Sequence, residues 1–310
     1  MAEIPVLSFN FTSLTQVPTS VHSLVQAMKH IHQGHETIPT AVTDLVATSV
    51  GPLDPEVADS WLVDPAKYPV RDEVLVLAEL RQLEKIAATS KECRQDGAHE
   101  VVWNEEVHSR LLTAALEPFH GRLRHRNVTA VDILPEFLPG VYSTPAATLP
   151  EVASSTISVA ASQPATTLQT KRVDYVIDDE DVRTASMDLL RRQLGTRSAA
   201  ESINHVVDNS FLRYRPIAIS IETKTPEGGE LQGRTQLGIW AAAHAMRLRA
   251  AVRGGGGDGD GNDDSQAELA LPLVLVVGSR WTVHFLVDKG NTLVGIYLFL
   301  VVSVGSQPRY

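Results

Sequence analysis

The chain has 310 residues, 43% of them apolar and 21% charged, with a formal net charge of -10, enough for one large domain or two small ones. That acidity excludes a surface that is everywhere a polyanion-binding field, so any such binding falls to local basic patches. The single cysteine, Cys93, excludes an intrachain disulfide and a cysteine-built zinc site and fits a reducing compartment.

Residues 1–72 open on "MAEIPVLSFNFTSLTQ", which has neither a basic start nor a sustained apolar stretch, so no signal peptide is expected. Short helical patterns broken by "QVPTS", "TIPTAV", "VGPLDP" and "KYPV" read as a mostly helical, partly irregular N-terminal arm. His30, His32 and His35 in "HIHQGHE" have no partner ligand placed to complete a site, and read as surface histidines.

From Asp72, "DEVLVLAELRQLEKIAATSKEC" shows acid in its first turn and Leu/Ile at helical spacing, the pattern of an amphipathic helix. "AHEVVWNEEVHSRLLTAALEP" predicts a second. A Ser/Thr/Pro/Ala-rich connector follows, and "KRVDYVIDDE" reads as a short strand ending in acid. "DVRTASMDLLRRQL" predicts a helix, "RPIAISIETK" a strand with apolar residues at every second place, and "ELQGRTQLGIWAAAHAMRLRAAV" a long helix.

Residues 254–267 read as a flexible acidic loop. Its calcium-loop likeness fails at Asp263, where glycine is needed, and at Leu269, where glutamate is needed. "LPLVLVVGSRWTVHFLVDKG" predicts two strands joined at "GSR". The longest apolar run, "LVGIYLFLVVSVG", has about 13 residues against the ~18–20 that span a bilayer. No membrane partner is expected, and an intracellular place, nuclear or cytoplasmic, fits. The order predicts an α/β domain over 73–310, with a central mixed sheet flanked by helices.

In a strand, residues two apart share a face, so Glu222 and Lys224 project together and Thr223 turns away. Alone, such a pair reads as a surface ion pair at a sheet edge. Asp174 stands in another apolar strand, where a carboxylate needs a cation, a donor, or Arg172 or Lys171 beside it. Gln236 and Trp240 sit four apart on one helix face. Glu106, with Glu105 as its rival for the inward position, lies in the helix ahead of the first of these strands. His108 falls about 200° round that helix from Glu106. Arginines to meet phosphates are found in "GRLRHR" (121–126), in "RLR" (247–249) with Arg253, and in "LLRRQL" near 191.

In order, "WNEEVH", "RPIAISIETK", "QLGIWAAAH" and "LPLVLVVGSRW" resemble the fungal PD-(D/E)xK nuclease-like family. The Gln-x-x-x-aromatic helix is similar to the RecB-type branch of the restriction-endonuclease-like superfamily. The resemblance implies a restriction-endonuclease-like core and a divalent-metal-dependent nuclease that hydrolyses phosphodiester bonds, with DNA the expected nucleic-acid partner. An inactive nuclease-fold protein serving as a binding or accessory module is the alternative. It also implies that Asp174, Glu222 and the Thr223 carbonyl hold Mg²⁺ or Mn²⁺, hard ions suited to oxygen ligands. Lys224 would steady the attacking water or the charged phosphorus, Glu106 would serve as a further ligand or base, and Gln236 would orient substrate or water. Against the family pattern, the helix near 181–194 is an insertion, and "GIYLFLVV" reads as a shortened remainder of a C-terminal helix. Oligomeric state is not readable from these residues.

Overall fold

The computed structural model describes residues 6–10, 18–50, 59–64, 66–67, 71–138, 172–183, 185, 202–206, 212, 214–254, 269–290 and 292–303. Among these residues, seven strands form one mixed sheet in the order β1-β7-β6-β5-β4-β3-β2. They are β1 Val6–Asn10, β2 Leu123–Asn127, β3 Tyr175–Asp179, β4 Ile217–Lys224, β5 Leu269–Val277, β6 Arg280–Asp288 and β7 Leu293–Ser303. The pairs β4/β5 and β1/β7 are parallel and the others antiparallel.

The helices are α1 His22–His32, α2 Thr43–Val50, α3 Glu73–Gln95, α4 Glu100–Trp103, α5 Ser109–Leu116 and α6 Glu230–Gly254. A π-helical turn, Asn104–His108, joins α4 to α5, so 100–116 run as one continuous rod. α3 starts at Asp72, whose carboxylate accepts from the Val74 amide at 2.8 Å and the Leu75 amide at 3.3 Å, satisfying donors that the first helical turn leaves open. Its buried Ile86 and Cys93 meet Trp103 and Val107 of the rod.

Alternation along the strands divides the core between the two faces of the sheet. Leu271, Leu273 and Leu275 of β5 pack with Leu237, Trp240 and Ala241 of α6 on one face. Val276, Tyr175, Ile177 and Ile221 pack with Leu112 of α5 on the other. Trp240 is fully buried, and burial of a side chain of that size contributes roughly 1.5–3 kcal/mol or more. Its indole donates to Ser220 Oγ at 3.1 Å, which satisfies the one polar atom the ring brings inside.

Two strands depart from the sequence reading. "GIYLFLVV" is not the remainder of a helix; it lies within β7, paired antiparallel to β6. "LRHRN", read only as a basic cluster, is the edge strand β2, held against β3. The expected helix at 181–194 lies mostly outside the described residues, as does the loop expected at 254–267. Residues of the N-terminal stretch join the same body: β1 pairs with β7, and Val25 of α1 is buried with Phe285 and Val287 of β6.

Two glycines govern how closely the elements approach the end of β4. At Gly233, a Cβ would lie 2.8 Å from Leu275 Cδ1 and 3.2 Å from Lys224 Cγ, so α6 can press on β4 and β5 only where no side chain intervenes. Gly278, in the β5–β6 turn, has φ +57°, and a Cβ there would meet Pro226 Cγ at 2.7 Å. Gly238 lies in α6 with nothing within 4 Å of its Cβ position. Gly278→Ala should therefore lower unfolding free energy by about 1–3 kcal/mol. The same change at Gly238 should raise it by up to ~1 kcal/mol, both read from denaturant unfolding curves.

Candidate active site

The C-terminal end of β4 has a helix on each face. α6 begins at Glu230 on one face of the sheet, and the rod begins at Glu100 on the other. Continuing the β3/β4 register of Tyr175 opposite Ile221 by one step sets Asp174 opposite Glu222. The Asp174 amide donates to the Ile221 carbonyl at 3.0 Å and extends the ladder to that point. Asp174, Glu222, Thr223 and Lys224 are all buried.

Lys224 Nζ donates to Glu222 Oε1 at 2.6 Å, to the Thr223 carbonyl at 2.8 Å and to Glu100 Oε2 at 3.2 Å. An ammonium has three protons, and each one has an oxygen here. Glu222 is 1% exposed, and its Oε2 has no hydrogen-bond partner. Burial, followed by the neighbouring Asp174, pushes the Glu222 carboxyl up to about 8 in spite of Lys224. Burial also raises Glu100, with Lys224 opposing. Burial works against the Lys224 ammonium, but Glu222, Glu100 and Asp174 together outweigh it and raise its pKa.

Asp174 is anchored from its other side. Its Oδ2 accepts from the Thr223 amide at 2.8 Å and from the Thr223 hydroxyl at 2.8 Å. Thr223 faces the rod, where its hydroxyl meets the Asn104 side chain at 2.7 Å. Arg172, weighed as a partner for Asp174, instead binds Asp132 at 2.7 Å; Lys171 lies outside the described residues.

Glu106, the residue expected from the helix, is not at the site: it is partly exposed and paired with Arg110 on the outer side of the rod. Glu100, six residues earlier, is the carboxylate beside Lys224. Glu100, Asn104 and His108 recur at every fourth place and reach Lys224, Thr223 and Gly278 respectively. In an unbroken α-helix the third of these would drift by about 80° from the first. The wider π turn reduces that drift, a use common at functional sites. The Glu-x-x-x-Asn-x-x-x-His spacing was the available signal in the sequence. His108, set aside when the Glu106 position was favoured, is the fully buried one.

Gln236 lies on α6 one turn beyond Gly233, and its Oε1 is buried without a partner. Among the described residues no three His, Cys, Asp or Glu side chains converge into a metal cluster as they stand. The oxygen cage around the Lys224 ammonium is nevertheless the donor set of a hard cation: two carboxylates and a carbonyl, with Asp174 opposite. Glu222 Oε2 adds an oxygen that nothing in the protein satisfies. The donors fit a divalent ion in chemistry.

The basic clusters expected to meet phosphates are engaged within the chain. Arg126 binds Asp178 at 2.8 Å, Arg122 lies 3.7 Å from Asp181, and Arg124 donates to the Gly121 carbonyl. Arg249 pairs with Asp288, and Arg247 donates to the Ser202 carbonyl. "LLRRQL" lies outside the described residues. Other arginines lie on neighbouring elements: Arg234 of α6 and Arg280 of β6 are both on the Glu230 carboxylate, and Arg94 of α3 donates to Ser279 Oγ at 2.7 Å.

No helix among the described residues is long and apolar enough to cross a membrane. No curated protein and no solved structure matches the chain. The family profile of the PD-(D/E)XK nuclease superfamily matches residues 54–306, a span that contains the whole oxygen cage, strands β2 to β7 and both helices that close on it. The chain belongs to the PD-(D/E)XK nuclease superfamily.

Proposed function

We propose that this protein is a divalent-cation-dependent nuclease that hydrolyses phosphodiester bonds, with DNA as substrate and Mg²⁺ or Mn²⁺ as the ion. The observation that carries the reading is the caged Lys224 ammonium, a cation already seated among Glu222, Glu100 and the Thr223 carbonyl with Asp174 opposite. The Gln236 and Trp240 spacing supports placing the chain in the RecB-type branch.

Asp174, Glu222 and the Thr223 carbonyl would hold the ion. When bound, it supplies Lewis-acid activation of water and neutralises charge developing at phosphorus. Lys224 gives up the Thr223 carbonyl, keeps Glu100 as its counter-ion, and directs its ammonium at the attacking water or the phosphoryl oxygens. Glu100 thus takes the place expected of Glu106. Gln236, with its unpartnered oxygen, orients water or substrate from α6. Arg280 and Arg234, on the shared Glu230, meet the flanking phosphates.

A second reading has its own support in the same cage. All three Lys224 protons are satisfied by the protein, as they would be in a nuclease fold that keeps its shape without chemistry and serves as a binding module.

An assay on single- and double-stranded DNA and RNA with Mg²⁺ or Mn²⁺ separates the two. Cleavage by the wild type should fall by about 100-fold or more in Glu222→Ala and Lys224→Ala. It should fall by about tenfold in Glu100→Gln and be unchanged in Glu106→Gln. Equal cleavage in all variants would refute the site, and binding without cleavage in any would establish the silent module.

A second measurement concerns pH. Without a cation, folded Glu222 retains a proton up to about 8, whereas an unfolded glutamate releases it near ~4.3. Between those values the unfolded chain binds fewer protons, so stability falls as pH rises. Raised Glu100 adds to this in the same direction. Above about pH 7, where the buried histidines are neutral both folded and unfolded, the melting temperature of the cation-free protein should drop toward pH 8. Mn²⁺ should restore it at the alkaline end, and Glu222→Gln should flatten the slope.

A further inference from the structure

The hydrogen bonds behind Asp174 have one consistent proton assignment, read from their far end. His108 Nε2 lies 2.8 Å from the Gly278 carbonyl oxygen, an atom that only accepts, so Nε2 bears a proton. The ring is fully buried, stacked on Trp103 and edge-on to Trp281, both at 5.8 Å between centroids. Burial holds its pKa down at about 4, so the ring is neutral and its Nδ1 is an acceptor.

Nδ1 lies 3.0 Å from one terminal atom of the Asn104 amide. That same atom lies 2.7 Å from Thr223 Oγ1. An asparagine amide presents its oxygen or its nitrogen according to its hydrogen bonds, and an acceptor at Nδ1 requires the nitrogen. Its two protons then serve His108 Nδ1 and Thr223 Oγ1. The hydroxyl proton of Thr223 is left for Asp174 Oδ2 at 2.8 Å. With the oxygen in that place, one threonine proton would face two acceptors, and the buried ring would need a second proton and a charge.

We propose that His108, Asn104 and Thr223 are positioning residues for Asp174, a relay from the Gly278 carbonyl that fixes the carboxylate by Oδ2 and presents Oδ1 to a cation. The Thr223 amide adds a second donor to the same Oδ2, so rotation of the carboxylate breaks two bonds. Gly278 also donates its own amide to the Lys224 carbonyl at 2.7 Å. One turn residue therefore sets the backbone of the lysine and, through three side chains, the aspartate. The role rests on the metal-dependent reading above; the relay itself does not.

Nitrogen NMR of histidine-labelled protein tests the relay first, without metal: His108 should show a protonated Nε2 and a bare Nδ1 at neutral pH. A protonated Nδ1 or a charged ring would overturn it. Calorimetric titration with Mn²⁺ then tests the role. Thr223→Val should weaken binding by about tenfold, and Thr223→Ser, which keeps the hydroxyl, should bind as the wild type does. Thr223→Ala serves the same comparison if the valine variant does not fold. Unchanged Mn²⁺ affinity without the hydroxyl, alongside weakened binding in Glu222→Gln, would overturn the positioning role and leave the metal site standing. A wild type that binds no Mn²⁺ would overturn the metal reading and the role together, and the His108 tautomer would still decide the relay.

Discussion

Three carboxylates and one ammonium gathered at the buried end of a strand are electrostatically out of balance, and much of this molecule serves to keep them there. Ionised groups removed from water need partners or they neutralise. Lys224 satisfies one oxygen each of Glu222 and Glu100 and Thr223 satisfies Asp174, while Glu222 keeps one unpartnered oxygen and its carboxyl is pushed up by burial first and by Asp174 second. In the cation-dependent reading proposed above, a divalent ion would bring the positive charge that this arrangement lacks. The site is thus costly when empty of charge and favourable when charged, the condition expected of a functional cluster in place of a structural ion pair.

Position follows from the same demand. Carboxylates at the start of a helix meet the positive end of its dipole, and the cluster sits where the rod begins at Glu100 and α6 begins at Glu230. Gly233 lets α6 descend onto Glu222 and Lys224, excluding water from the side that Trp240 and Ser220 seal further along. On the other face the aromatic rings of Trp103 and Trp281 close around His108. The sheet itself supplies the register that sets Asp174 against Glu222.

Sequence periodicity made much of this legible. The alternation in "RPIAISIETK" gives β4 and the shared face of Glu222 and Lys224, and the predicted hairpin at "GSR" turns at Gly278 and Ser279 as expected. The inward face of the rod was not legible, since Glu105 and Glu106 flank an apolar stripe whose phase shifts at a π turn that no local pattern announces. β7 was obscured for a different reason: a run that is apolar throughout has no period to separate strand from helix. β2 was hidden by its charge, because Arg126 reads as solvated until the buried Asp178, its diagonal neighbour on β3, is known. In each case the missing information was a contact distant in sequence.

The pairing of β1 with β7 joins residues 6–10 to residues 293–297. Among the described residues β7 is the one sheet neighbour of β1, so on a ribosome β1 emerges long before the strand it pairs with. Closing so long a loop costs entropy that only the finished sheet repays. This edge of the sheet can therefore close only after β7 has been made.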